Sequence, residues 1–222
     1  MGFRKKIKYF LVHNLPCSNK EAELLISSGR VSIEGKAVTE NVNLDEISEI
    51  CLDQKILRSR RRLRYFKFYK PKGFESTMNP QVPDNLLHFI KEPGTLAIAG
   101  RLDKASEGLL LLSDDGKWVE EICNPLIGKE KEYQVSLDQT FNEDLMHAFK
   151  NGVLLGKYTT LPAKCFKTGE QELRIFLKEG KNRQIRRICH KFGFKVVMLK
   201  RLRIDNYHLN DLMPGEYQAF EP

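Results

Sequence analysis

Residues 95–115 constrain the fold of this chain more than any other stretch. Thr95 to Leu102 is apolar and β-prone, and Leu109 to Ser113 is a continuous apolar run of strand length. Between them Arg101-Leu102-Asp103-Lys104-Ala105-Ser106-Glu107 alternates charge, with Gly100 and Gly108 at its ends. This order predicts strand, charged loop, strand. A loop clamped between two buried strands fixes its side chains while leaving them open to solvent, which is what a reacting carboxylate needs. Four carboxylates compete for that role. Asp114 and Asp115 precede Lys117 to Cys123, where Trp118, Val119, Ile122 and Cys123 fall at helical spacing, so N-capping is their first duty. Glu107 precedes a glycine and reads as a solvated loop charge. Asp103 has Arg101 and Lys104 close on either side, and nearby cations keep a carboxylate ionised. On these residues alone, an ion-paired structural aspartate is the commoner reading of such a position.

The 222 residues can hold one sizeable domain, or a small domain and a larger one, with a real core in either case. A net charge of +8 predicts an acidic partner, nucleic acid first. The five cysteines are odd in number, scattered and never in a Cys-x-x-Cys pair, which predicts reduced and mostly buried thiols in a cytoplasmic protein. No apolar run approaches membrane-spanning length and the N-terminus leads to no hydrophobic signal region, so a soluble, untargeted protein without a membrane partner is expected.

Residues 1–62 read as a small module. Ile7, Phe10 and Leu11 suggest a first helix; Ser18-Asn19-Lys20-Glu21 is a capping box opening a second, with Ala22, Leu25 and Ile26 on one face and Gly29 at its end. Val31 to Glu34, a Gly35-Lys36 turn and Ala37-Val38 read as a hairpin, and Asp45 to Leu52 as a further strand. The basic residues here, Arg4, Lys5, Lys6, Lys8, Lys20, Arg30 and Lys36, need be no more than a solvated face. That bland view weakens from Lys55 to Lys72, where nine Lys or Arg, Arg60, Arg61 and Arg62 among them, meet no acid. A run of that density repels itself and is suited to neutralising phosphates. Phe66, Phe68 and Lys70 alternate there with Tyr65, Lys67 and Tyr69, as in a strand.

Further along, Asn85 to Lys91 is a short helical patch. Strict alternation in Glu130 to Leu137 puts Tyr133, Val135 and Leu137 on one strand face. A helix is expected over Asn142 to Lys150 and strands over Ala163 to Lys167 and Leu173 to Leu177. Asn182 is a candidate N-cap for a helix whose stripe is Ile185, Ile188, Cys189 and Phe192, with Gly193 as its stop. Arg186 falls at the margin of that stripe, while Arg183, Arg187 and His190 point away, and an arginine at a buried margin needs an anionic partner. Lys178 to Arg203 carries ten Lys or Arg against Glu179 alone, a second basic surface.

Gly100-Arg101-Leu102-Asp103 followed by Gly108-Leu109-Leu110 resembles the signature of the pseudouridine synthases that modify ribosomal RNA. Lys70-Pro71-Lys72-Gly73, Lys131-Glu132-Tyr133, Glu179 to Arg187 and Leu199 to Ile204 resemble further motifs of that family, with Tyr69 where an Asn is usual and Asp205-Asn206 where a Gly is usual. Ser18 to Lys36 resembles the S4 RNA-binding domain found at the N-terminus of many of these enzymes. The resemblance implies an α+β chain: an S4-like module over 1–62, then a catalytic domain over 63–222 on a mixed, largely antiparallel sheet flanked by helices. It implies Asp103 as the catalytic carboxylate, Arg186 as its cationic partner, Tyr133 as the base-stacking phenol and Leu199 beneath the base. Arg101, Lys104, Lys131, Arg183 and Arg187 are expected on the substrate side, and Lys20, Arg30, Lys36, Arg60, Arg61 and Arg62 as RNA contacts. The wording of Gly128 to Tyr133 and Gly152 to Gly156 leans toward large-subunit ribosomal RNA, with small-subunit RNA or transfer RNA as alternatives.

Isomerising uridine breaks one C–N bond and rejoins the same base through carbon, without net redox change or addition, so no metal or small-molecule cofactor is expected. An ionised carboxylate, a cation to orient it, a stacking surface and exclusion of water suffice. The base must leave its stack to reach them. A monomer acting on ribosomal RNA is the expected assembly. A non-catalytic RNA-binding or ribosome-assembly protein is the rival reading; a nuclease using Glu107, Asp114 and Asp115 lacks a metal constellation, and the histidines show no ligand spacing.

Overall fold

A computed structural model describes residues 6–45, 47–92 and 94–222, so Arg4 and Lys5 lie outside the described residues. The chain divides into two compact units, Met1–Leu63 and Arg64–Pro222.

In the first unit α1 (Ile7–Asn14) and α2 (Asn19–Ser27) pack Ile7, Leu11, Ala22 and Ile26 against Val31 and Ile50. The capping box forms as read: Ser18 Oγ accepts from the Glu21 N–H and the Glu21 carboxylate accepts from the Ser18 N–H. Four short strands follow, β1 (Val31–Ile33), β2 (Lys36–Val38), β3 (Ile50–Leu52) and β4 (Lys55–Arg58), in the order β2-β1-β3-β4. The hairpin turn is Glu34-Gly35, one residue earlier than expected, because Ile33 pairs with Lys36 and both turn residues take positive φ (50° and 75°). The strand expected from Asp45 begins only at Ile50. The Asp45 carboxylate accepts from the Ile47 and Ser48 N–H groups (3.0 and 2.7 Å) and folds that stretch into a turn. Part of the basic run is itself strand β4, with Ile56 paired to Cys51.

The second unit is built on one large sheet. Its elements are β5 (Tyr65–Lys70), β6 (Ala97–Ala99), β7 (Glu107–Ser113), α3 (Gly116–Cys123), β8 (Lys131–Leu137), α4 (Glu143–Asn151), β9 (Leu154–Leu155), β10 (Tyr158–Thr159), β11 (Lys164–Lys167), β12 (Glu172–Leu177), α5 (Gln184–Lys191), β13 (Val196–Ile204), β14 (Tyr207–His208) and β15 (Tyr217–Ala219). The sheet runs β11-β12-β8-β13-β7-β5-β15, with β14 beside β13 and β6 beside β7; β9 and β10 form a separate hairpin. β7 and β13 run parallel, and the other pairs among the described strands are antiparallel. The 85–91 patch is a 3-10 turn over Leu86–His88, capped by Asn85.

Strand β7 explains why its sequence is apolar without alternation. Leu110 and Leu112 join a core with Phe66, Phe68, Val135 and Ile188, while Leu109 and Leu111 join a second core with Tyr69, Ile122 and Ile204. All four leucines are fully buried, each contributing about 1.5–3 kcal/mol of transfer free energy. Of the two carboxylates after β7, Asp115 caps α3 by accepting from the Lys117 and Trp118 N–H groups. Asp114 does not cap; it accepts from the Arg64 N–H and pairs with the Arg64 guanidinium at 3.0 Å.

Candidate active site

The loop between β6 and β7 is held by its backbone. Five successive carbonyls, Arg101 to Ala105, each accept a hydrogen bond. The donors are Arg201 Nη1 (3.3 Å), Ser76 Oγ (2.8 Å), Ser106 N–H (2.9 Å), Gly73 N–H (2.8 Å) and Arg186 Nη2 (2.8 Å). Ser76 brackets Leu102 from both sides, since its Oγ also accepts the Leu102 N–H at 3.0 Å. Glycine is required where the loop enters β7. Gly108 has φ 106°, and a Cβ there would stand 2.2 Å from the Arg201 carbonyl oxygen. Fixed in this way, the loop leaves the Asp103 carboxylate half-buried and without a hydrogen-bond or ion-pair partner among the described residues.

That carboxylate lines a cleft of ≈ 460 Å³ together with Arg101, Lys104, Tyr133, Lys181, Arg183, Ile185 and Leu199. Tyr133 arrives on β8, whose alternation buries Tyr133, Val135 and Leu137 as read from the sequence. It pairs with Arg201 across to β13 and with Ile175 across to β12, and its hydroxyl has no partner among the described residues. Leu199 is paired with Val135 on the same strands. Arg183 is brought to the cleft by the start of α5. The N-cap is Arg183 in the left-handed region (φ 49°), not Asn182, and no side chain caps the helix end. The Gln184 side chain instead turns back, accepting from the Lys181 N–H and donating to Glu179 at 2.7 Å. A left-handed non-glycine residue costs on the order of 1 kcal/mol, and here it aims a cation at the cleft.

Arg186 departs from expectation. No hydrogen bond or ion pair joins it to Asp103 among the described residues; it donates to the carbonyls of Val196 (3.0 Å) and Ala105 (2.8 Å) and to Ser106 Oγ (3.3 Å). Carbonyls take up its Nη1 and Nη2 donors, while its Nε is buried without a hydrogen-bond partner among the described residues. Burial first, then the like charge of Arg183, lower the Arg186 pKa, with the Asp103 charge acting in the opposite sense.

Of the other substrate-side expectations, Lys104 lines the cleft with its ammonium ion-paired to Asp84. Lys131 lies in an adjacent cavity, its Nζ donating to the Lys129 carbonyl at 2.7 Å. Arg187 packs over the Tyr158 ring and bonds its hydroxyl and the Leu155 carbonyl, bracing the β9–β10 hairpin away from the cleft. In the first unit Lys20, Arg30, Lys36, Arg60, Arg61 and Arg62 are all exposed, and Arg30 pairs with Asp53 and Arg60 with Glu34.

Ser76 was not flagged by the sequence, and Lys70, Ser106 and Arg201 lay within flagged stretches without a role assigned to them. Lys70 is fully buried, and its Nζ donates to the carbonyls of Pro71 (2.8 Å) and Phe74 (2.7 Å), shaping the strap that carries Gly73 and Ser76. Burial pushes its pKa down to about 8, opposed by the charges of Glu107 and Asp103. Its place on the Phe66–Phe68 face was a signal that it points inward.

The family description RNA pseudouridylate synthase matches residues 64–191. The chain is 32% identical over 204 residues to the dual-specificity RNA pseudouridine synthase RluF of Escherichia coli (strain K12), covering 91% of this chain and 70% of that one. It is 33% identical over 220 residues to ribosomal small subunit pseudouridine synthase A of Yersinia pestis, covering 96% and 93%. A crystal structure of a pseudouridylate synthase superposes with a TM-score of 0.69 at 31% identity, over 97% of this chain and 96% of that one. A family match across most of the second unit, and relatives similar along nearly the whole length, agree with the cleft built around Asp103: the chain belongs to the RNA pseudouridylate synthases, which isomerise uridine in RNA.

Proposed function

We propose that this enzyme isomerises uridine in ribosomal RNA in the cytoplasm, with Asp103 as the reacting carboxylate. One observation carries the assignment. The loop bonds five successive carbonyls, yet among the described residues the Asp103 side chain has no hydrogen-bond or ion-pair partner in the cleft and feels Arg186 and Lys70 only through their charge. Fixed backbone with a free carboxylate is the preorganisation that a reaction at a sugar or base demands.

The other residues take roles that follow from their positions. Leu199 and the Tyr133 ring give the flipped base an apolar surface to stack on. The C–N glycosidic bond breaks, C5 of the uracil bonds to the sugar, the C5 proton leaves and N1 takes up a proton in place of the sugar; the Tyr133 hydroxyl is free to carry a proton. Arg186 is a positioning residue, acting through Ala105 and Ser106. Arg101, Lys181 and Arg183 at the mouth neutralise phosphates.

The first unit serves as an S4-like RNA-binding module, supported by its capped helix pair, its small sheet and its exposed Lys20, Lys36, Arg61 and Arg62. Large-subunit RNA is the target favoured by the wording of residues 128–133. The relatives' names, dual-specificity and ribosomal small subunit, make small-subunit RNA the second reading. Carbodiimide mapping of ribosomal RNA from cells with and without the protein tests both. A pseudouridine that disappears on deletion identifies the subunit; an unchanged map contradicts the ribosomal assignment.

A further inference from the structure

A second cavity, of ≈ 220 Å³, adjoins the Asp103 cleft and shares Arg101, Tyr133 and Gly180 with it. Its charged lining is Arg101, Lys131, Lys178 and Arg201 against one carboxylate, Glu179. That carboxylate is already engaged, since Oε1 accepts from the Leu161 N–H (2.8 Å) and from Gln184 Nε2 (2.7 Å).

Two of the cations are withdrawn from solvent. Arg201 is 2% exposed; its Nε donates to the Leu109 carbonyl and its Nη1 to the Arg101 carbonyl, while Nη2 is buried with no partner among the described residues. Lys131 uses one of its three donors, on the Lys129 carbonyl. Burial first, and then the Arg201 charge, lower its pKa, so two cations face the same small space and repel. The carboxylate whose charge opposes this, Asp205, is held by Lys129, so cations outnumber free acids around this cavity, and such a surplus favours an anion.

We propose that this cavity binds a phosphate group, with Lys131 and Arg201 as its inner cations and Lys178 at its mouth. Tetrahedral phosphate presents several acceptor oxygens to the unused donors of Lys131 and to Lys178, while Arg201, whose Nη2 is closed off from solvent, adds charge beneath them; a cavity of this size takes a phosphate but not a base pair. Resting on the RNA-modifying reading above, the occupant in turnover is the phosphodiester beside the target uridine, because the two cavities share the Tyr133 wall. Inorganic phosphate has the same chemistry.

The test is amide NMR of the full chain titrated with inorganic phosphate at constant ionic strength. A single saturable event at the amides of Gly100, Asn124 and Gly180 is expected, about tenfold weaker in Lys131→Met and about threefold weaker in Lys178→Met, an exposed residue whose loss leaves the fold intact. Non-saturating shifts spread over surface lysines, or unchanged affinity in both variants, would overturn the site. A uridine oligonucleotide that displaces phosphate from those amides identifies the RNA backbone as the source. Phosphate retained there while RNA fills the Asp103 cleft overturns the phosphodiester assignment. These readouts do not depend on isomerisation, so an unchanged pseudouridine map would sink the ribosomal reading and leave phosphate binding standing.

Discussion

Arg186 grips the loop two and three residues beyond Asp103, donating to the Ala105 carbonyl at 2.8 Å and to Ser106 Oγ at 3.3 Å, and meets the Asp103 carboxylate only through its charge. The same guanidinium bonds the Val196 carbonyl at the start of β13. One side chain on α5 thereby ties the reacting loop to the strand that carries Leu199.

Arg186→Gln removes that tie. We expect kcat to fall by about 10²-fold with little change in KM, because misplacing the carboxylate by a fraction of an ångström is costly while the RNA contacts stay in place. Arg186→Lys should rescue poorly, since a point charge cannot reach carbonyls in two directions. Single-turnover kinetics on an RNA substrate separate the two parameters. A rise in KM at unchanged kcat would make Arg186 an RNA contact instead.

Gly108→Ala should be among the most destabilising single-methyl additions in the second unit. The new Cβ would meet the Arg201 carbonyl at 2.2 Å and its N at 2.6 Å, and φ 106° is strained for any side chain. A loss of at least about 2 kcal/mol is expected in urea unfolding. Near-native stability would show that β7 and β13 separate easily.

Much of this architecture was legible. The run at Leu109 to Leu112 reads as a strand buried on both faces because it packs into two cores, and alternation along β8 placed Tyr133 inward. The capping box at Ser18 also formed as read. What escaped depends on partners far away in sequence. Ser76 meets Leu102 across 26 residues and Arg201 meets Leu109 across 92, and neither spacing leaves a periodic trace. The pairing of Arg186 with Asp103 was carried by the family resemblance; the bonds that Arg186 makes to the carbonyls of Val196 and Ala105 show only in the fold.

Lys70 gives the fold a signature in alkali. Its folded pKa, about 8, lies below its ordinary value of 10.5, so the unfolded chain binds the extra proton between those two values. Stability conferred by this group therefore rises with pH across that window, and the burial penalty is fully present below about pH 8. The stability difference between wild type and Lys70→Met should shift in favour of wild type from pH 8 to 10.5, by at most about 1.4 kcal/mol per pH unit. Urea titrations at several pH values measure it, and a flat difference would mean that Lys70 titrates at its ordinary value.

Removing residues 1–63 should weaken RNA binding and flatten its dependence on salt, if the first unit contributes phosphate contacts through Lys20, Lys36, Arg61 and Arg62. The slope of log affinity against log salt is the readout, with circular dichroism confirming that the second unit remains folded. An unchanged slope would remove the first unit from the RNA interface.

In the proposed reaction the carboxylate of Asp103 performs the isomerisation. Asp103→Asn is nearly isosteric and leaves the five backbone bonds of the loop in place. RNA labelled with tritium at uridine C5 loses that label as pseudouridine forms, so tritium release from ribosomal RNA incubated with the wild-type and variant proteins measures the chemistry directly. Wild type should release the label, Asp103→Asn should release none above background, and the variant should bind RNA within a few-fold of wild type. Release by the variant at a rate comparable to wild type would contradict that role for Asp103.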